Sequence, residues 1–529
     1  MGLHRFDNKK ELKKLDFKNN KAKYIKIGTI CISFLVVIIS IIYFTYSKFT
    51  LTDTFKTAES TVDTFVPADY LINNYVNGEL GVAPSSSEKD NYVVGISCDN
   101  GVSASWDYDN WGINISNATE TGNKCSVYYE KIEPDNSGAS TPELYDGLIP
   151  VVYAGGYTII ANTNQAWYNY NNHQWANAIL IDQSNPEIKN KYINSDGSFK
   201  AGTIIDENDI LQMYVWVPRY KYKLFNVSGS NSSPQMIEIQ FESKSTSKSK
   251  GTSNGQWLTH PAFTFGTTEL NGIWVGKFES SNTTSDVKII PNVSSLRSQT
   301  VGNMFNASRA IEANAKYALT SSEVDTHMMK NMEWGAVAYL TNSKYGRYES
   351  SGSCISSGCE VWINNNSNYT TGCAGSSVDA SSTTSCNQWN TSTGINASTT
   401  GNIYGIYDMS GGALEYVMGN MVDSSGAFYP RGSGLSQPES KYYDSYTYGT
   451  SRDDYSRGHL GDATKEVIAN SSSGYSWNND LANFVYSSTP WFLRGGYYDG
   501  GSGAGVFDFD SSDGYAGSIG SWRVVLSSE

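Results

Sequence analysis

Residues 401–417 read GNIYGIYDMSGGALEYV. Glycines at 401, 405, 411 and 412 punctuate the stretch as turns and leave only short runs between them. The same texture, with little extended periodicity, continues outward. Upstream, MYVWVPRYKYKLF (213–225) and NGIWVGKFES (271–280) read as strands rich in aromatic and β-branched residues. Residues 321–343 carry Met328, Met332, Trp334, Val337 and Leu340 at helical spacing, which predicts a core helix. Downstream, Arg494-Gly495-Gly496 and Ser521-Trp522-Arg523-Val524-Val525-Leu526 read as framework around YYDGGSGAGVFDFDSSDGYAGSIGS (497–521).

A chain of 529 residues exceeds one ordinary core, so two or more folded units are expected. With 37 Tyr, 49 Gly and only 17% charged residues, the composition suits a β-rich or irregular extracellular fold, not disorder, which is aromatic-poor. The formal charge of −14 argues against nucleic-acid binding, because no basic surface is available to displace phosphate counterions.

Charge is divided sharply along the chain. Residues 1–26 hold nine Lys/Arg against three acids, a net of +6, which leaves −20 for the rest. Residues 27–46, IGTICISFLVVIISIIYFTY, carry no charge over a length that spans a bilayer as a helix. The basic flank would stay in the cytoplasm. The expectation is therefore a cytoplasmic tail (1–26), a transmembrane helix (27–46) and an extracellular remainder in a bacterial cell membrane. A cleaved signal peptide competes, but Tyr43, Phe44 and Tyr46 leave no small-residue cleavage site.

Cys31 lies in that apolar run. The other six cysteines fall after it, an even number that suits disulfides in an oxidising compartment. Proximity suggests Cys98–Cys125, Cys354–Cys359 and Cys373–Cys386, although sequence alone leaves connectivity open. Their spacings match no usual zinc site. Residues 47–90 read as a polar stalk. Residues 91–132 read as a small β module in which Ile96, Trp106, Ile113, Ile115 and Val127 line one core under the first disulfide. Residues 133–204 form a linker and an aromatic-rich β segment. The final unit, 205–529, contains a Ser/Thr/Asn/Gly-rich insertion at 350–400 that holds four of the cysteines.

Residues 401–417 resemble the N-x-x-G-L-x-D-M-x-G-N-V-x-E-W signature of the formylglycine-generating-enzyme-like (sulfatase-modifying-factor) family. IWVGKFE (273–279) is similar to that family's opening IGKYEVT strand, and NMEWGAVAYL (331–340) to its tryptophan-containing helix. Arg494-Gly495-Gly496 and Trp522-Arg523-Val524 are similar to its RGGS…GFRV ending. The resemblance covers roughly 205–529. It implies an α+β, largely irregular fold of the C-type-lectin kind, preceded here by the transmembrane helix and small β modules.

The family's enzymes bind copper through thiols in their C-terminal part. This chain has no Cys after Cys386, and its five histidines (4, 173, 260, 327, 459) are scattered, so no catalysis is expected. The family's structural calcium is held in part by an Asn and a Glu. Glu415 keeps the carboxylate, while Gly412 stands where the Asn would be. A branch of this lectin-like fold serves as the variable protein of diversity-generating retroelements, in which adenine-directed mutagenesis rewrites Asn codons. Tyr, Asp, Ser and Gly are reachable from such codons, and 497–521 contains no Asn.

That resemblance implies a ligand-binding face with variable positions at Tyr497, Tyr498, Asp499, Gly500, Ser502, Asp508, Asp510, Ser511, Ser512, Asp513, Tyr515 and Ser518. Alternation around Phe507 and Phe509 points the rings inward and Asp508 and Asp510 outward. The composition suits such a face: Tyr offers large contact area with few torsions to freeze, and Ser and Gly offer adaptable hydrogen bonding. The expected partner is an extracellular protein or cell-surface ligand. A formylglycine-generating-type oxidase and a structural envelope protein are the rival readings.

Overall fold

The structure, a computed structural model, describes residues 71–99, 102–116 and 124–529. Its largest sheet has seven strands, all antiparallel to their neighbours. They run Val324–Met328, Val524–Ser528, Gly272–Gly276, Ile210–Pro218, Asn177–Ile181, Ile149–Ala154 and Tyr157–Ile160. Four of these strands are buried at every position, and three of them accordingly read as continuous apolar runs (IPVVYA, NAILI, GIWVG) rather than alternating ones. The sheet takes strands from both sides of residue 204, so 149–181 and 210–528 share one core.

A second sheet is centred on Leu414–Met421, the continuation of the glycine-rich stretch. Trp491–Arg494 pairs with it antiparallel, and Asp444–Tyr446 and Gly520–Trp522 pair with it parallel. Phe509–Ser512 extends the sheet from Trp491–Arg494. The stretches that carry the resemblance therefore meet in space, with Arg494 opposite Glu415 and Trp522 opposite Tyr416.

Between the sheets lies the helix Asn331–Thr341, buried along its whole length. Glu333, in its first turn, accepts the Lys330 backbone N–H at 2.8 Å, which caps the start. The helical spacing seen over 321–343 is only partly realised. Val324–Met328 is a strand because its backbone pairs with Val524–Ser528. The helix itself has no solvent face, so its residues do not form the single stripe expected.

Leu71–Val76, from the stretch expected as stalk, pairs parallel with Lys124–Lys131, which in turn pairs antiparallel with Tyr92–Cys98. Ile96, Trp106 and Val127 are buried together beneath the Cys98–Cys125 disulfide, and Ile113 and Ile115 pack against them. Cys354–Cys359 and Cys373–Cys386 are also bonded, the pairs that proximity suggested.

Two expectations need correction. The described chain is mostly β-sheet with few helices, so the α+β class gives way to a β-rich one. Short apolar runs with glycine turns pair across sheets more readily than they sustain helices. Among the described residues no helix is long and apolar enough to cross a membrane. The expected span at 27–46 and the tail at 1–26 lie outside the described residues, and the placement in a bacterial cell membrane is withdrawn with them.

Candidate functional site

The segment 497–521 begins where the strand Trp491–Arg494 ends. Gly495 and Gly496 have φ of +83° and +70°, a backbone that a side chain would strain, and turn the chain out into the loop. The loop returns as Phe509–Ser512, leaves again over 513–519 and closes on Gly520–Trp522. Backbone contacts from elsewhere help to hold the second loop. Gly432 N–H donates to Asp513 O at 2.8 Å, Ser298 N–H to Gly517 O at 3.1 Å, and Val301 N–H to Gly514 O at 3.2 Å.

The predicted positions divide into two groups. Asp499, Ser502 and Ser518 are exposed, Tyr515 is 56% exposed, and Tyr497, Tyr498, Gly500 and Asp513 are half-buried. These lie on the outer surface. Ser511 and Asp510 are half-buried and engaged, Ser511 with Thr489 at 2.8 Å and Asp510 with the Asn483 side chain at 3.1 Å. Ser512 is buried against the Tyr416 hydroxyl at 2.7 Å.

Asp508 contradicts its expected orientation. Phe507 and Phe509 do point inward, but Asp508 is only 1% exposed. Residues 504–509 are all buried, and Asp508 N–H donates to Gly505 O, so it sits in a turn before the strand begins at Phe509. Period-two alternation does not apply there. Burial, then the neighbouring Asp510 charge, hold its carboxyl well above the usual range, against the pull of Arg494.

Two residues from distant parts of the chain complete the surface. The Tyr369 ring meets Tyr498 edge-on at 4.8 Å, and Tyr498 meets Tyr497 in the same way at 5.6 Å. The Arg297 guanidinium stacks 3.8 Å from the Tyr369 ring centroid and donates to Ser518 O at 2.6 Å. Sequence reasoning missed both. Neither has a local signal, because the tertiary fold alone brings 297, 369 and 498 together.

Beneath this surface lies a cluster of buried carboxylates. Arg523 donates to both oxygens of Glu415, through Nε at 3.1 Å and through Nη2, and also to Gly276 O and Tyr407 O. Glu279 accepts Ala413 N–H at 2.8 Å, and Asp408 accepts the Asn364 amide and Gly372 N–H. Burial pushes Glu415 up to about 7 while Arg523 pulls it back. Burial, then the charges of Asp408 and Glu415, push Glu279 well above its usual range. These residues do not fit a calcium site: a guanidinium occupies both Glu415 oxygens, and Gly412 offers no side chain. Among the described residues no group of three or more His, Cys, Asp or Glu side chains could hold a metal ion. All six described cysteines are in disulfides, so none offers copper a thiolate.

Two further buried groups set a pH dependence. Glu466 accepts Gly461 N–H at 2.6 Å and the Tyr222 and Tyr339 hydroxyls at 2.9 and 3.0 Å. Burial outweighs these bonds and, with Asp462 nearby, raises its carboxyl from 4.5 to about 7. Burial disfavours charge on His327, yet Glu333 and Asp325 on either side raise it to about 9. Both folded values lie above the unfolded ones, so both contributions are complete at low pH and fade as pH rises through about 7 and about 9. Thermal stability is expected to fall between pH 5 and pH 8. Glu466→Gln keeps an acceptor but cannot ionise, and should remove roughly 3 kcal/mol of that slope at most. An unchanged slope of Tm against pH in the variant would refute the assignment to Glu466.

No family model and no curated protein matches the chain. The formylglycine-generating-enzyme-like resemblance is thus without support from a family model. Among solved structures, the chain is similar to variable protein 1 of Treponema denticola, at 12% identity over 59% of this chain and 95% of that one, with a TM-score of 0.24. It is also similar to the M1 variant of Major Tropism Determinant, at 11% identity over 84% and 97%, with a TM-score of 0.25. Likeness at this level assigns nothing to this chain.

Proposed function

We propose that this protein binds a protein or cell-surface ligand through the outer surface of 497–521, without catalysis, and that retroelement-directed codon changes diversify that surface. The observation that carries the reading is the division of the segment. Its Tyr, Asp and Ser side chains at 497, 498, 499, 502, 513, 515 and 518 lie at the surface, while its Val506, Phe507 and Phe509 are locked into the core. A rigid frame beneath an exchangeable polar and aromatic face suits moderate-affinity recognition.

The same division sharpens the set of positions free to vary. Asp508 and Ser512 are scaffold: Asp508 is buried within reach of the Arg494 charge, and Ser512 is buried in a hydrogen bond with the Tyr416 hydroxyl. Sequences of this locus from sister strains should differ at the seven surface positions and agree at 504–509 and 512. Uniform drift across the domain would refute diversification. In the protein itself, Tyr497→Ala, Tyr498→Ala and Tyr515→Ala together should leave Tm within a few degrees of the parent, as expected for surface residues. A large loss of Tm would place these rings in the core rather than on a face.

A further inference from the structure

Lys277 follows the strand Gly272–Gly276 and is fully buried, in a place that the binding surface does not use. Its Nζ donates to Asn177 Oδ1 at 2.7 Å and to Ile403 O at 2.6 Å. The rings of Tyr153, Trp389 and Tyr407 enclose it, with centroids at 5.0, 5.4 and 5.6 Å. None of the ion pairs among the described residues includes Lys277. We propose that Lys277 and Asn177 condense to an intramolecular isopeptide bond, joining the lysine Nζ to the asparagine side-chain carbonyl carbon and releasing ammonia.

Position comes first. Val215, on the intervening strand Ile210–Pro218, pairs with Asn177 on one side and Val275 on the other. Lys277, one residue past the end of its strand, still donates its backbone N–H to Met213 O of the intervening strand at 2.8 Å, and its side chain reaches across to Asn177. The carboxamide is fixed in orientation, since its Nδ2 donates to Trp175 O at 2.9 Å and Tyr404 O at 2.8 Å. With Nζ already in contact with Oδ1, the adjoining carbon lies close to attack distance.

Activation has two parts. Burial without a carboxylate partner drives the ammonium well below its usual pKa, which exposes the lone pair of the neutral amine. The Tyr153 hydroxyl donates to Asn177 Oδ1 at 3.0 Å, where negative charge develops as Nζ attacks. The Tyr153 phenol is itself held protonated by burial, so it remains a donor.

In the step, the Nζ–Cγ bond forms and the carbonyl electron pair moves to Oδ1. The pair then returns as the Cγ–Nδ2 bond breaks. One Nζ proton passes to the departing nitrogen, and ammonia leaves. No oxidant or co-reactant is needed. The enclosing rings keep out water that would otherwise hydrolyse the carboxamide. The product ties together residues 100 apart in sequence.

The test is the intact mass of the full chain, purified under denaturing conditions with its disulfides reduced. The expected result is a deficit of about 17 Da, the mass of ammonia lost on amide formation. A branched peptide containing Lys277 and Asn177 should appear after digestion. Lys277→Arg and Asn177→Ala should restore the full mass. In Asn177→Asp water replaces ammonia as the leaving group, so the deficit should become about 18 Da. Full mass in the parent protein, with Lys277 and Asn177 recovered in separate unbranched peptides, overturns the proposal whether or not any variant folds.

Discussion

Arg523→Met is expected to destabilise the protein by about 3–5 kcal/mol, the cost of removing one partner from a buried ion pair. The guanidinium is the cation that Glu415 contacts, and Glu279 and Asp408 are buried close by. Methionine fills much of the volume but leaves Glu415 without its two donors and strips Gly276 O and Tyr407 O of theirs. The remedy open to the variant is to protonate Glu415. Its carboxyl, already raised to about 7, should then move higher. The deficit should therefore be largest above neutral pH and shrink toward pH 5. Urea midpoints of parent and variant at pH 5 and pH 8 measure this directly. Equal losses at both pH values would show that the pair contributes packing rather than charge compensation.

Gly335→Ala should destabilise although alanine is the better helix former. In an exposed helix interior the exchange gains roughly 0.5–1 kcal/mol. Here the new Cβ would run into the backbone carbonyl oxygen of Gly461, with the Asp462 Cα and carbonyl carbon at 2.8 Å. That loop has little room to retreat. Asp462 accepts from Tyr446 and Thr464 hydroxyls and from two backbone N–H groups, while Ala463 O accepts from Arg494. Overpacking against fixed backbone costs about 1–3 kcal/mol or more, so the clash outweighs the propensity. A Tm drop of several degrees is expected. A Tm equal to or above that of the parent would mean that helix and loop are not in close contact.

Much of the frame was legible. The runs around 213–225 and 271–280 become Ile210–Pro218, Tyr220–Lys223 and Gly272–Gly276, because β-branched and aromatic residues suit a buried or half-buried pleated surface. Each disulfide joins a cysteine to the next one along the chain, the pairs that proximity suggested while connectivity was still open. The burial of Asp508 was not legible, since a turn and a strand edge look alike in a Gly/Asp/Ser run. Nor were the supports of the tyrosine surface legible, since Arg297 and the buried Tyr369 carry no local mark in the sequence.

The sequence by itself determined the composition of the 497–521 face, the glycine turns that frame it and the absence of any cysteine after Cys386. Those depend on residue identity and local backbone freedom. Only the tertiary structure decided which side chains of that face are outside, that Arg523 takes up Glu415, and that Lys277 lies against Asn177. Each of these is a contact between segments far apart in the chain. Burial and charge compensation are properties of such contacts, and no run of neighbouring residues encodes them.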